Sequence, residues 1–128
     1  MSKCCVIGLG YIGLPTASLL AKKGFNVLGV DINEDIVETI NKGRIHIEEP
    51  ELEDIVSSTV KEGFLKASLK PEFADYFIIS VPTPIEEINS VIKPNLKFVY
   101  DALYSILPYI KKGNSIILES TCPVGTTK

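Results

Sequence analysis

Four stretches of this chain hold residue types at spacings that can do chemistry. The first is Gly8-Leu9-Gly10-Tyr11-Ile12-Gly13-Leu14-Pro15, three glycines at the spacing G-x-G-x-x-G. An apolar run, Cys4-Cys5-Val6-Ile7, leads into it and a helix-like segment leaves it. In that context the spacing points to dinucleotide binding. Gly8 permits a sharp turn, Gly10 keeps side-chain atoms away from a pyrophosphate, and Gly13 lets the helix lie close to the strand. The helix start then offers N–H groups and a positive dipole end to the phosphates. The bland alternative is an ordinary glycine turn between strand and helix.

Asp31 decides between the two. It lies 18 residues after Gly13, at the end of the next apolar run. An aspartate there can accept hydrogen bonds from both ribose hydroxyls and would repel a 2′-phosphate, which favours NAD over NADP. Glycines and Asp31 together are read as an NAD site.

The second stretch, Val81-Pro82-Thr83-Pro84, ends an apolar run with two prolines and a hydroxyl. The third, Glu119-Ser120-Thr121, follows the last apolar run. Both sit at carboxyl ends of expected strands, where ligands lie in doubly wound sheets. Pro82 and Thr83 either border the cofactor or simply make a rigid turn that closes the strand, and Ser120 and Thr121 are expected to hold a nicotinamide, a substrate oxygen or a water. Glu119 serves either proton transfer or the start of a loop. The fourth, Gly43 to Leu52, carries Arg44 and His46. They face an anionic substrate or, as the favoured reading, belong to a solvated loop. Cys122 has no base in view, so it is not expected to be a nucleophile.

These residues need a frame. Lys3 to Leu9, Asn26 to Val30, Leu65 to Ser68, Tyr76 to Val81 and Ser115 to Leu118 read as strands. Near-continuous apolar runs fit strands buried on both faces of a parallel sheet. Tyr11 to Lys23, Asn33 to Asn41, Glu51 to Lys61 and Asn95 to Ile110 read as helices. Asn33 is the expected N-cap of the second, with Ile32, Ile36, Val37 and Ile40 on its apolar face. Leu96, Val99, Leu103, Ile106 and Leu107 form the apolar face of the fourth, whose last turn Pro108 distorts. Ile85 to Pro94 reads as a loop. Alternating strands and helices imply an α/β doubly wound parallel sheet of Rossmann type, order 3-2-1-4-5, with the sixth strand missing. Residues 1–128 form one domain.

Composition is that of a water-soluble globular domain. Of 128 residues 45% are apolar and 23% charged, with a formal net charge of -3. No basic block suggests nucleic acid, and no apolar run approaches the roughly 20 residues that span a bilayer. No signal peptide is read at the N-terminus, so a cytoplasmic protein is expected. Three cysteines, two of them adjacent, make a poor disulfide framework, and one histidine leaves too few ligands for a metal. Cys4 and Cys5 are read as small buried hydrophobes on opposite faces of the sheet.

Taken jointly, Gly8 to Pro15, the Val-Pro-Thr-Pro turn and Glu119-Ser120-Thr121-x-Pro-Val-Gly-Thr resemble the UDP-glucose/GDP-mannose dehydrogenase family. Thr39-Ile40-Asn41-x-Gly43-x-Ile45-His46-Ile47-x-Glu49-Pro50 is most similar to its branch acting on UDP-N-acetyl-D-mannosamine. Gly63-Phe64-Leu65-x-Ala67-Ser68 and Ile117-Leu118-Glu119-Ser120-Thr121 add to that likeness. The resemblance covers essentially the whole chain and only the N-terminal NAD-binding domain of such an enzyme. It implies oxidation of a sugar C6 hydroxyl to a carboxylate in two NAD-dependent steps, through a thioester on a catalytic Cys. It also implies that Tyr11, Ile12, Asp31, Thr83 and Thr121 contact NAD, and that Thr121 positions a water. The family's catalytic Cys, its Lys and Asn helpers, the dimerisation helix and the UDP-binding domain are absent, and Cys122 does not match that Cys. The expected partners are NAD, a UDP-sugar bound through the absent domain, and a second copy in a homodimer. The chain alone is expected to lack turnover. The other reading is a stand-alone NAD-binding module or subunit without dehydrogenase activity.

Overall fold

The computed structural model describes residues 2–81, 85–94 and 96–119. In chain order the elements are β1 (Lys3–Ile7), α1 (Gly13–Lys22), β2 (Asn26–Val30), α2 (Glu34–Asn41), α3 (Pro50–Glu62), β3 (Leu65–Ser68) and β4 (Tyr76–Ile79). There follow β5 (Ile85–Ile88), β6 (Val91–Pro94), α4 (Lys97–Ile106), a 3-10 turn (Leu107–Tyr109) and β7 (Ser115–Leu118). Five strands form one sheet in the order β3-β2-β1-β4-β7, and every pairing in it is parallel. This is the expected doubly wound α/β order, 3-2-1-4-5 counted over the sheet strands.

The central strands are apolar throughout because both faces are covered. Cys4 and Val6 of β1 join one core with Leu14 and Ala17 of α1, Ile40 of α2 and Val56 of α3. Cys5 and Ile7 join the other with Phe77 and Ile79 of β4 and Ala102 and Ile106 of α4. The two adjacent cysteines therefore point to opposite faces, each buried. Burial pushes the Cys5 thiol up to about 11, and burial with the Asp75 charge raises that of Cys4. Neither thiol is activated.

Local chemistry accounts for the helix ends. Asn33 Oδ1 accepts from the N–H groups of Asp35 (2.9 Å) and Ile36 (3.4 Å), capping α2. Pro50 opens α3 with Glu51 and Glu53 in its first turn. At its end Gly63 takes φ 85°, and Phe64 N–H reaches back to Thr59 O at 2.9 Å.

Several boundaries and faces differ from the sequence reading. Ile85 to Pro94 is no simple loop: β5 and β6 pair antiparallel through Asn89 and Ser90, at φ 52° and 65°. Two successive residues with positive φ mark the tight primed hairpin turn. Asn-Ser signals it more weakly than Asn-Gly does. Strand β1 ends at Ile7 because Gly8, at φ 98°, breaks the extended backbone. Strand β4 ends at Ile79, two residues early, and α1 starts at Gly13 rather than Tyr11. Helix α4 is shorter than read and passes into the 3-10 turn at Pro108, which supplies no N–H. Its buried positions are Val99, Ala102 and Ile106, whereas Leu96 and Leu107 are exposed and Leu103 is half-buried. Leu96 and Leu107 flank the α-helical segment and so fall outside its inner stripe. Ile32 is likewise exposed, since it precedes the α2 cap and never joins the helical face. Among the described residues no helix is long and apolar enough to cross a membrane.

Candidate functional site

The glycine turn joins β1 to α1. Gly8 N–H donates to Val30 O at 2.7 Å, continuing the β1–β2 ladder one step before the chain turns away. A Cβ on Gly8 would collide with the Ser80 carbonyl oxygen, and one on Gly13 with the Gly8 carbonyl oxygen. The turn is therefore packed backbone on backbone. Gly10 is the opposite case: a Cβ built there meets no atom within 4 Å. Space for a ligand lies over Gly10, at the entry to α1.

Helix α1 begins there without a side-chain cap and with no acid in its first turn. Helix α2 has an Asn cap and two first-turn acids, Glu34 and Asp35. An uncapped start free of carboxylates is electrostatically open to a phosphate. Tyr11 and Ile12 follow Gly10 and are exposed.

Asp31 closes the second strand beside this turn. Its Oδ2 accepts from Leu9 N–H at 3.0 Å, and its Oδ1 accepts from Asn33 N–H at 2.9 Å. The carboxylate thus ties the glycine turn to the start of α2. Each oxygen keeps acceptor capacity after one such bond, so ribose hydroxyls can still be held. The sequence suggested the ligand-facing role of Asp31 but not this internal one.

A polar cluster lies on the other side of α1. Thr16 Oγ1 donates to Glu119 Oε2 at 3.1 Å, across 103 residues of sequence. Glu119 N–H donates to Ile79 O at 2.8 Å, and Ser80 N–H to Ile7 O at 2.7 Å, so the sheet ladder runs one step past the strands. Glu119 Oε1 and Ser80 Oγ are buried and find no partner among the described residues. Thr16 and Ser80 were missed in the sequence. The available signals were a hydroxyl three residues after Gly13 and a serine closing the apolar run Tyr76 to Ile79.

Gly8, Gly10, Gly13 and Asp31 are brought together, with Tyr11 and Ile12 beside them. Pro82, Thr83, Ser120, Thr121 and Cys122 lie outside the described residues. Arg44 and His46 are exposed, while their neighbours Ile45 and Ile47 turn to the core. That is the solvated loop favoured from the sequence.

Comparison with known proteins agrees with this geometry. The family model "UDP-glucose/GDP-mannose dehydrogenase family, NAD binding domain" matches residues 2–128. A UDP-N-acetyl-D-mannosamine dehydrogenase of Campylobacter jejuni is 55% identical over 127 residues, 99% of this chain and 31% of that protein. An NDP-N-acetyl-D-galactosaminuronic acid dehydrogenase of Ralstonia nicotianae is 50% identical over 96% of this chain and 28% of its own length. Among solved structures, the native UDP-N-acetyl-mannosamine dehydrogenase from Staphylococcus aureus superposes with a TM-score of 0.89 at 49% identity, covering 94% of this chain and 29% of that one. The chain thus spans about three-tenths of the length of these relatives. It belongs to the UDP-glucose/GDP-mannose dehydrogenase family and corresponds to the NAD-binding domain.

Proposed function

We propose that this chain, as a member of that family, is the cofactor-binding part of a nucleotide-sugar 6-dehydrogenase that converts UDP-N-acetyl-D-mannosamine to its uronic acid. The observation that carries the binding role is the pairing of open space over Gly10 with the Asp31 carboxylate one strand away. The residues fit a dinucleotide. Gly10 and the uncapped start of α1 would take the pyrophosphate, and Asp31 the adenosine ribose. The same carboxylate repels a 2′-phosphate, so NAD rather than NADP is the cofactor. Tyr11 and Ile12 flank the turn. Pro82, Thr83, Ser120 and Thr121 are assigned to the nicotinamide side by family likeness, and Thr121 to positioning a water.

When bound, NAD supplies the hydride acceptor for each of the two oxidation steps. This chain's residues bind and orient it. Neither Cys4 nor Cys5 is suited to the covalent step, because both thiols are buried and held protonated. The choice of sugar rests on relatives named for UDP-N-acetyl-D-mannosamine at 55% and 51% identity, set against 50% for one named for a galactosaminuronic acid. A cytoplasmic setting, a place in polysaccharide biosynthesis and a homodimeric assembly complete the proposal.

The experiment joins this chain to the remaining polypeptide of a relative and follows NADH formation with three UDP-sugars. UDP-N-acetyl-D-mannosamine should be oxidised with two NADH formed per sugar. Preference for UDP-N-acetyl-D-galactosamine or UDP-glucose, or one NADH per sugar, would contradict the assignment.

A further inference from the structure

The Thr16–Glu119 contact links two parts of the dinucleotide site that are far apart in sequence. Thr16 lies three residues after Gly13 in α1, on the helix whose start faces the candidate pyrophosphate position. Glu119 is the residue directly after β7, and Ser120 and Thr121 follow it in the chain. The side chains meet at 3.1 Å in a partly buried setting. Ser80 stands one step past the Ile79–Leu118 pair, as Glu119 does, so in a parallel ladder the two share a face of the sheet. That face is the α1 face, because a Cβ on Gly13 would meet Ser80 Cβ at 3.2 Å. Ser80 is only 8% exposed, and its hydroxyl has no partner among the described residues.

Such a cluster is costly as plain packing. A buried oxygen without a partner loses its hydration and gains nothing in return. Apolar residues at Thr16, Ser80 and Glu119 would fill the same space without that cost. The retained polarity has a geometric consequence instead. The hydrogen bond fixes the carboxyl end of an edge strand against the helix that begins at the glycine turn. All four residues of β7 are exposed among the described residues, so this bond is a restraint on a lightly packed strand.

We propose that Glu119, held by Thr16, is a positioning residue that fixes the carboxyl ends of β4 and β7 against the helix that begins at the glycine turn, and so aligns the nicotinamide half of the crevice with the pyrophosphate half. This rests on the cofactor reading above. Glu119 directly follows β7 and Asp31 directly follows β2, on opposite sides of β1 in the sheet, so loss of the pair should be felt by the whole dinucleotide and not by a ligand lacking nicotinamide.

The test measures binding of NAD and of ADP-ribose to the full chain by calorimetry, with melting temperature as the folding control. Thr16→Val and Glu119→Leu each remove the bond. NAD affinity should fall about three- to tenfold in each, as for one lost hydrogen bond, while ADP-ribose affinity stays within about twofold. Thr16→Ser and Glu119→Gln keep a donor and an acceptor and should bind NAD like the parent. Equal losses for both ligands, or no loss for NAD, would overturn the positioning role, as would failure of both Thr16→Val and Glu119→Leu to fold. A parent chain that binds neither ligand would overturn the cofactor reading itself and this inference with it.

Discussion

The two edges of the sheet are built differently. At the β3 edge, Leu65 and Ala67 are 2% and 3% exposed. The outward backbone groups of Ala67 are also satisfied: Asn41 Nδ2 donates to Ala67 O at 2.9 Å and Ala67 N–H donates to Asn41 Oδ1 at 2.8 Å. One side chain from α2 thus takes the place of a neighbouring strand. At the β7 edge, Ile116, Ile117 and Leu118 are 45%, 46% and 56% exposed. Successive strand residues point to opposite faces, so among the described residues β7 is only about half covered on both. Tyr100, Tyr104 and Leu107 extend that apolar surface along α4 and its 3-10 turn. Free edges of this kind favour pairing with further polypeptide. The difference teaches where stability resides. Among the described residues the β3 side is closed by its own residues, and the β7 side buries less.

Substitutions can break that contrast. Leu65→Ala at the closed edge should lower unfolding free energy by about 2–5 kcal/mol, whereas Leu118→Ala at the open edge should cost under about 1 kcal/mol. Denaturant titration of both variants checks this, and equal losses would erase the distinction. Asn41→Ala leaves two backbone groups of Ala67 unpaired and should cost about 1–3 kcal/mol. The same loss should appear as faster amide exchange at Ala67. Ile117→Lys should leave stability within about 0.5 kcal/mol while reducing concentration-dependent self-association in sedimentation. A large stability loss there would mean that the β7 side is closed in solution.

The same contrast shows what the sequence revealed. Strand order, the glycine turn and Asp31 were legible because each depends on local pattern: apolar runs, three glycines, an acid at a strand end. Residues 26–30, 65–68 and 115–118 were read to the residue as β2, β3 and β7. Asn41 was not legible as an edge cap, because it acts on Ala67 26 positions away. Thr16 was hidden for the same reason, with its partner 103 positions off. The β5–β6 hairpin was missed because its turn, Asn89-Ser90, lacks the glycine that usually marks a two-residue connection. The exposed faces of α4 were missed because an apolar residue in sequence does not say whether anything covers it. Sequence periodicity reports which face can be buried, and only the packing shows which face is.

Asp31 is where local pattern and tertiary geometry meet, since it braces Leu9 and Asn33 beside the glycine turn proposed to hold the cofactor. The most direct measurement is calorimetric titration of the chain with NAD and with NADP, before and after Asp31→Ala. NAD should bind at least about tenfold tighter than NADP, and Asp31→Ala should cost NAD about 1–3 kcal/mol of binding free energy and remove the preference. Equal affinity for the two dinucleotides in the parent chain, or no binding of NAD, would contradict the assignment of the glycine turn and Asp31 as an NAD site.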